Sequence, residues 1–235
     1  MYKQHDVFKI EKSTNKSIWR YMDFWKFLNL LDTKSLHFSN SESMGDNYEG
    51  RIPQFILQRL LKEDQENGSE QNKTLNDYLE RELRKTTLIS SWCYSNNESF
   101  AMWKMYAKDK MGIAIETNFE CLKNSFISSD RNVYIGEINY INENKYYYEI
   151  GNLFYPFLTK LDFYSFENEV RCITVTKEGE EKSNKLVEID LNILIKKIHI
   201  SPSAKPELKM LLEILKEKYN LNFEIVYSKI NDNWL

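Results

Sequence analysis

Hydrophobic positions change period repeatedly along the chain, and each change marks an element. Ile18–Met22 is a short aromatic run that predicts a strand. Asp23 then precedes FWKFLNLLDT, where Phe24, Phe27, Leu28 and Leu31 recur at helical spacing behind a capping residue. In SLHFSN, Leu36 and Phe38 alternate with His37 and Ser39, the period of a strand. Pro53 suits the first turn of a helix over PQFILQRLLKED, and Leu75, Tyr78, Leu79 and Leu83 predict a second helix over TLNDYLERELRK. Between these two the polar, Gly- and Ser-bearing stretch predicts a flexible surface loop over 64–74.

Beyond Thr86 the pattern turns β-branched and aromatic. TTLISSWCYS, GIAIET, VYIGEINYI (with a bulge expected at Gly136), FENEVRCITV, KLVEIDL, KKIHIS and FEIVYS read as strands. ESFAMWKMYAK, opened by Ser99, and CLKNSF read as short helices, and YYYEIGNLFYPFLTKL as a helix interrupted by Gly151 and Pro156. A last helix is expected behind Ser203, with Leu208, Leu211, Leu212, Leu215 and Tyr219 in one stripe. Helices and strands interleave irregularly, without the steady alternation of a doubly wound sheet. The expectation is a single α+β domain over 1–235, with a mixed or mostly antiparallel sheet and flanking helices.

Composition narrows this further. With 42% hydrophobic and 14% aromatic residues in 235, the chain can bury a sizeable core. A net charge of −3 gives no general electrostatic case for a polyanion partner. No basic-then-apolar leader stands at Met1–Ile10, no apolar run approaches a membrane span, and three scattered cysteines suit a reducing compartment. A cytoplasmic protein without membrane association is expected. Neither Gly-rich phosphate loop is present, and no Cys/His spacing suggests a metal.

The polar residues of interest stand at strand ends. Arg20, between Trp19 and Tyr21, is either an edge arginine stacked on aromatics or a bidentate anion clamp. Asp46 and Glu49 in GDNYEG fit turn chemistry, and two carboxylates are few for a hard cation. Ser90 and Ser91 could meet a ligand at a strand end, and Trp103 and Tyr106 share a helical face as core or as a stacking wall. In FENEVRCITV a continuous strand puts Glu167, Glu169 and Arg171 on one face, the two carboxylates about 6.5 Å apart at Cα. Such a pair either lines a cleft or forms an edge ladder with Arg171.

Five separated segments, in order, carry a resemblance to a bacterial domain-of-unknown-function family, number 2971. They are Arg20-Tyr21, the Asp46-x-x-Glu49 turn, Met102-Trp103 with Tyr106, Gly112–Ile115, and Glu167-x-Glu169-x-Arg171. Asn47 departs from the proline often found in that turn. A looser resemblance, an early arginine, a serine-bearing middle strand and a late E-x-E, is to ADP-ribosyltransferases of the arginine–serine–glutamate type. That resemblance implies NAD as substrate and no metal. It would place Arg20 on the NAD phosphates or ribose and Ser90 or Ser91 in support. Glu169 would stabilise an oxocarbenium-like transition state, and Glu167 would assist the acceptor. Arg171 is grouped with the catalytic pair, and Tyr21, Trp103 and Tyr106 with the dinucleotide. The acceptor implied is a macromolecule, protein or nucleic acid, and the role that of a toxin or phage-defence effector. Two other readings stay open: a non-enzymatic module sensing a phage component or nucleic acid, and a metal-assisted phosphodiesterase using Asp46, Glu49 and Glu169.

Overall fold

The computed structural model describes residues 1–10, 16–108, 110–144 and 152–230. Its strands are β1 (Ser17–Met22), β2 (Ser35–Asn40), β3 (Thr87–Ser95), β4 (Ile113–Thr117), β5 (Tyr134–Glu137), β6 (Asn139–Ile141), β7 (Thr159–Leu161), β8 (Glu169–Val175), β9 (Lys185–Glu188), β10 (Lys197–Ile200) and β11 (Glu224–Tyr227). The helices are α1 (Phe24–Thr33), α2 (Gln54–Asn67), α3 (Gln71–Tyr78), α4 (Arg84–Thr86), α5 (Phe100–Tyr106), α6 (Phe119–Ser125), α7 (Leu191–Leu194) and α8 (Glu207–Lys218). A π-helical turn, Leu79–Leu83, joins α3 to α4.

Nine strands form one sheet in the order β11-β10-β4-β1-β3-β2-β9, with β8 against β3 and β5 against β8; β6 and β7 pair separately. In the large sheet only β10 and β11 run parallel. The fold is α+β with a mostly antiparallel sheet, as the irregular interleaving leads one to expect.

Strand β3 is the hub. Along one edge β8 pairs with it from Thr87↔Val175 to Cys93↔Glu169. Along the other edge β2 meets only Leu88 and Ile89, and β1 meets only Cys93 to Ser95. Between them, at Ser90–Trp92, the sheet is forked. Alternation of side chains sends Leu88, Trp92 and Tyr94 into a core layer with Ile18 and Met22 and with α1, α6, α7 and α8. The opposite face carries two separate apolar clusters. One holds Ile89 and Ile173 under α2; the other holds Trp19, Tyr21 and Cys93 under α5. Ser91, Glu169 and Arg171 fall on that face between the two.

Several expected elements come out differently, for local reasons. The 64–74 stretch is mostly helical: α2 runs to Asn67, Gly68 turns left-handed at φ 62°, and α3 starts at Gln71. The buried Asp64 carboxylate makes this compact by accepting from the amides of Asn72 and Lys73, the orphan donors of α3's first turn. VYIGEINYI is two strands rather than one bulged strand, because the Ile138 amide bonds to Glu169 O and that of Asn139 to Leu158 O. Gly136 sits where the Phe8 backbone approaches to 3.0 Å of a built Cβ. Of the expected helix YYYEIGNLFYPFLTKL, residues 145–151 lie outside the described residues; the rest is a 3-10 turn at Tyr155–Phe157 followed by β7. Helix α8 begins at Glu207 behind Pro206, and Ser203 instead bonds Ser201.

Two glycines with positive φ test the packing. A Cβ on Gly50 (φ +71°) would lie 2.5 Å from the Phe157 ring, whereas at Gly68 nothing lies within 4 Å. Gly50→Ala should therefore cost about 2–4 kcal/mol from left-handed strain plus overpacking, and Gly68→Ala only about 1 kcal/mol. Urea midpoints of the two variants check the difference.

Candidate functional site

FENEVRCITV is not one strand. Asp162–Glu167 is a 3-10 helix, and Asn168 turns left-handed at φ 43° before β8 begins at Glu169. Asn168 is held there by Tyr94, whose amide bonds Asn168 O at 2.7 Å and whose carbonyl accepts from Asn168 Nδ2. The expected strand alternation of Glu167 and Glu169 therefore fails. The two carboxylates still meet, because Lys160 Nζ lies 2.6 Å from Glu167 Oε2 and 3.0 Å from Glu169 Oε2.

Behind Glu169 stands Arg171, fully buried. Its Nε donates to Glu169 Oε1 at 2.7 Å and its NH2 to Glu169 Oε2 at 3.0 Å. On the other side it grips Glu49, through NH1 to Oε1 and through NH2 to Oε2 at 2.8 Å, and NH1 also donates to Phe157 O at 2.7 Å. Burial alone would push the Glu169 carboxyl up. The charges of Arg171 and Lys160 outweigh burial and hold it at about 2, with a further pull from Ser91. The Ser91 hydroxyl makes no hydrogen bond of ordinary geometry. Burial works against the Lys160 ammonium too, yet Glu169, Glu49 and Glu167 raise it above its usual range. Tyr140 Oη accepts from the Glu169 amide at 2.9 Å and anchors the start of β8.

Arg20 occupies the fork from the other face. Its NH1 donates to Ser90 Oγ, its NH2 reaches His37 O at 3.5 Å, and its guanidinium lies 5.3 Å over the Trp92 ring. No carboxylate pairs with it among the described residues. Burial lowers its pKa to about 10, and burial, Arg20 and Lys26 lower that of His37. The Arg20 guanidinium is thus held by neutral oxygens and an aromatic face, without a carboxylate to neutralise it among the described residues.

Because the sheet is open between β1 and β2, one cavity of about 930 Å³ reaches both faces. Arg20, Tyr21, Ser90, Ser91, Tyr106, Glu167 and Glu169 all line it, together with Glu49, Lys160, His37 and Lys26. The structure thus brings together most of the residues expected to form a site. Two depart. Arg171 does not reach the cavity and, having no free donor, acts by holding Glu169 and Glu49. Trp103 is core: its ring meets Tyr21 edge-on at 4.9 Å and its indole donates to Glu98 at 2.8 Å. Tyr106 does face the cavity, its phenol raised to about 12 by burial and then by Glu167. Asp46 accepts from the Tyr48 amide in its own turn. Among the described residues no three His, Cys, Asp or Glu come together as a metal site.

Sequence reasoning missed Lys160 and His37. Lys160 stands as the one charge in YPFLTKL, a weak signal in a run that reads as a helix, and His37 reads in the sequence only as the polar phase of β2.

Comparison with models of known protein families, with curated proteins and with solved structures finds no match.

Removing one partner of the buried cluster strands the others. Arg171→Met should cost about 3–5 kcal/mol by leaving Glu49 and Glu169 uncompensated, measured by urea unfolding at neutral pH. Glu169, and Glu116 (held down to about 2 chiefly by its His199 hydrogen bond), both ionise well below their unfolded values. The stability they lend is complete above about pH 4.5 and is lost as pH falls towards 2. The thermal midpoint should drop across that window, and less steeply in Glu169→Gln.

Proposed function

We propose that the protein is an NAD-utilising enzyme of the ADP-ribosyltransferase type, working in the cavity at the fork of the sheet. The observation that carries the reading is the unneutralised Arg20 guanidinium sharing one cavity with the ionised Glu167–Lys160–Glu169 cluster. A volume of about 930 Å³ falls within the range of sites for extended small molecules. Arg20, with Ser90, takes the diphosphate. The clustered carboxylates face the nicotinamide ribose.

Charge and donor counts divide the work between the glutamates. Three carboxylates against Arg171 and Lys160 leave one surplus negative charge, suited to oxocarbenium character at the ribose carbon. Both oxygens of Glu169 already accept hydrogen bonds from Arg171, and one also meets Lys160, so little capacity remains. Glu167 gives Oε2 to Lys160 and meets the Tyr106 phenol, and so retains more accepting capacity than Glu169 for an incoming hydroxyl. In the reaction the bond from the ribose carbon to the nicotinamide ring nitrogen breaks, and its electron pair neutralises the pyridinium. The acceptor oxygen or nitrogen bonds to that carbon, and its proton passes to Glu167. With water as acceptor the products are ADP-ribose, nicotinamide and a proton. An activity of this kind would serve a toxin or phage-defence effector.

Incubation of the purified protein with NAD should release nicotinamide, followed by chromatography. Arg20→Gln should raise KM about 10- to 100-fold through loss of a charged hydrogen bond. Glu167→Gln should lower kcat about 100-fold or more with little change in KM. Absence of nicotinamide release from the wild-type protein, with and without a cell extract as acceptor source, would sink the reading.

A further inference from the structure

The cavity is lined by aromatic side chains that the chemistry above leaves unused. Trp25 on α1 is 62% exposed, Tyr48 in the turn before Gly50 is 73% exposed, and Tyr106 at the end of α5 is 41% exposed. Tyr164, from the 3-10 helix that delivers Glu167, completes the set, and all four line the cavity. Four separate segments each contribute a ring to the lining of one cavity, where exposure of large apolar groups is otherwise disfavoured. Lysines lie beside two of them: Lys26 Nζ is 5.5 Å from the Trp25 ring, and Lys160 Nζ, already paired with Glu167 and Glu169, is 5.3 Å from that of Tyr164.

We propose that this rim binds single-stranded nucleic acid and presents an unpaired base to the Glu167 end of the cavity. Rings stack on bases without regard to sequence, and interleaved ammonium groups follow the phosphates. The charge layout favours this occupant over a peptide. Among the described residues lining the cavity, Arg20 and Lys26 are cations that no carboxylate neutralises, while the buried carboxylate cluster keeps one surplus negative charge. That charge would hold a phosphate backbone at the rim and admit only the neutral base. A duplex, whose base faces are hidden, would not fit the same rings. As the acceptor of an ADP-ribosyl group the strand rests on the NAD reading; as a bound ligand it does not.

Fluorescence anisotropy with labelled oligo-dT and oligo-U of about 16 nucleotides tests this without NAD. Binding should weaken with added salt, and about tenfold for each ring removed in Trp25→Ala and Tyr48→Ala. Tyr227→Ala, an exposed tyrosine on the outermost strand β11, serves as the surface control and should bind as wild type. The DNA and RNA arms decide which nucleic acid is preferred, and a hairpin duplex should compete poorly. No binding of either oligonucleotide at low salt, or binding indifferent to Trp25→Ala and Tyr48→Ala, would overturn the proposal. So would a loss of NAD affinity in these variants without any oligonucleotide binding, since the rings would then serve the dinucleotide alone. Oligonucleotide binding by a protein that releases no nicotinamide would uphold the rim and sink the enzymatic reading.

Discussion

A fully buried guanidinium is tolerable only if each of its five N–H donors finds an acceptor, because taking the charge out of water costs several kcal/mol. Arg171 meets that condition with five hydrogen bonds: two to Glu169, two to Glu49 and one to Phe157 O. Those acceptors come from the start of β8, the turn ahead of Gly50 and the 3-10 turn before β7. Satisfying one side chain thus locks three distant segments together, on the face where the apolar layer is divided. Lys160 then adds a second cation, and through it Glu167 is brought to Glu169 although the backbone between them does not run as a strand.

The second constraint is the incomplete edge of β3. Pairing with β8 on one side is continuous, whereas β1 and β2 each take only an end of the other side. The gap at Ser90–Trp92 leaves room for Arg20 to cross from β1 towards Ser90 and the β2 backbone. It also joins the two faces of the sheet into one cavity. A continuous sheet would have separated Arg20 from Glu169 by a layer of backbone, since alternation sends them to opposite faces. The site therefore depends on a missing pairing as much as on the residues that line it.

Charge is distributed unevenly within that cavity. At the carboxylate end, five ionised groups neutralise one another almost completely. At the other end stand Arg20, Lys26 and His37, with no acidic partner among the described residues, and burial, Arg20 and Lys26 together lower the pKa of His37. A ligand that is anionic at one end and develops positive charge at the other fits this division, and the aromatic mouth adds a surface for flat rings.

Much of the secondary structure is legible in the sequence, because apolar periodicity reports which face of an element is buried. Every strand of the large sheet lies on a run that the pattern marks as extended, β5 and β8 being shorter than their runs. Helices α1, α2, α5 and α6 fall where the pattern places them, and the irregular interleaving already implies an α+β fold. The pattern is silent where one side chain overrides it. Asp64 converts an expected loop into a helix start, Asn168 breaks an expected strand, and the run before Lys160 holds a strand that its apolar sequence does not separate from a helix. The same limit applies to the site. Residue types at strand ends single out Arg20, Ser90, Glu167 and Glu169, since charge beside aromatics is unusual there. Whether they share a cavity depends on the pairing of β3 with its neighbours, a long-range fact with no local signature. That Arg171 is buried behind the cavity as a clamp on Glu169 and Glu49, and that Lys160 belongs beside them, follows only from the tertiary structure: ion pairs across more than a hundred residues are set by burial and donor geometry, which no local pattern encodes.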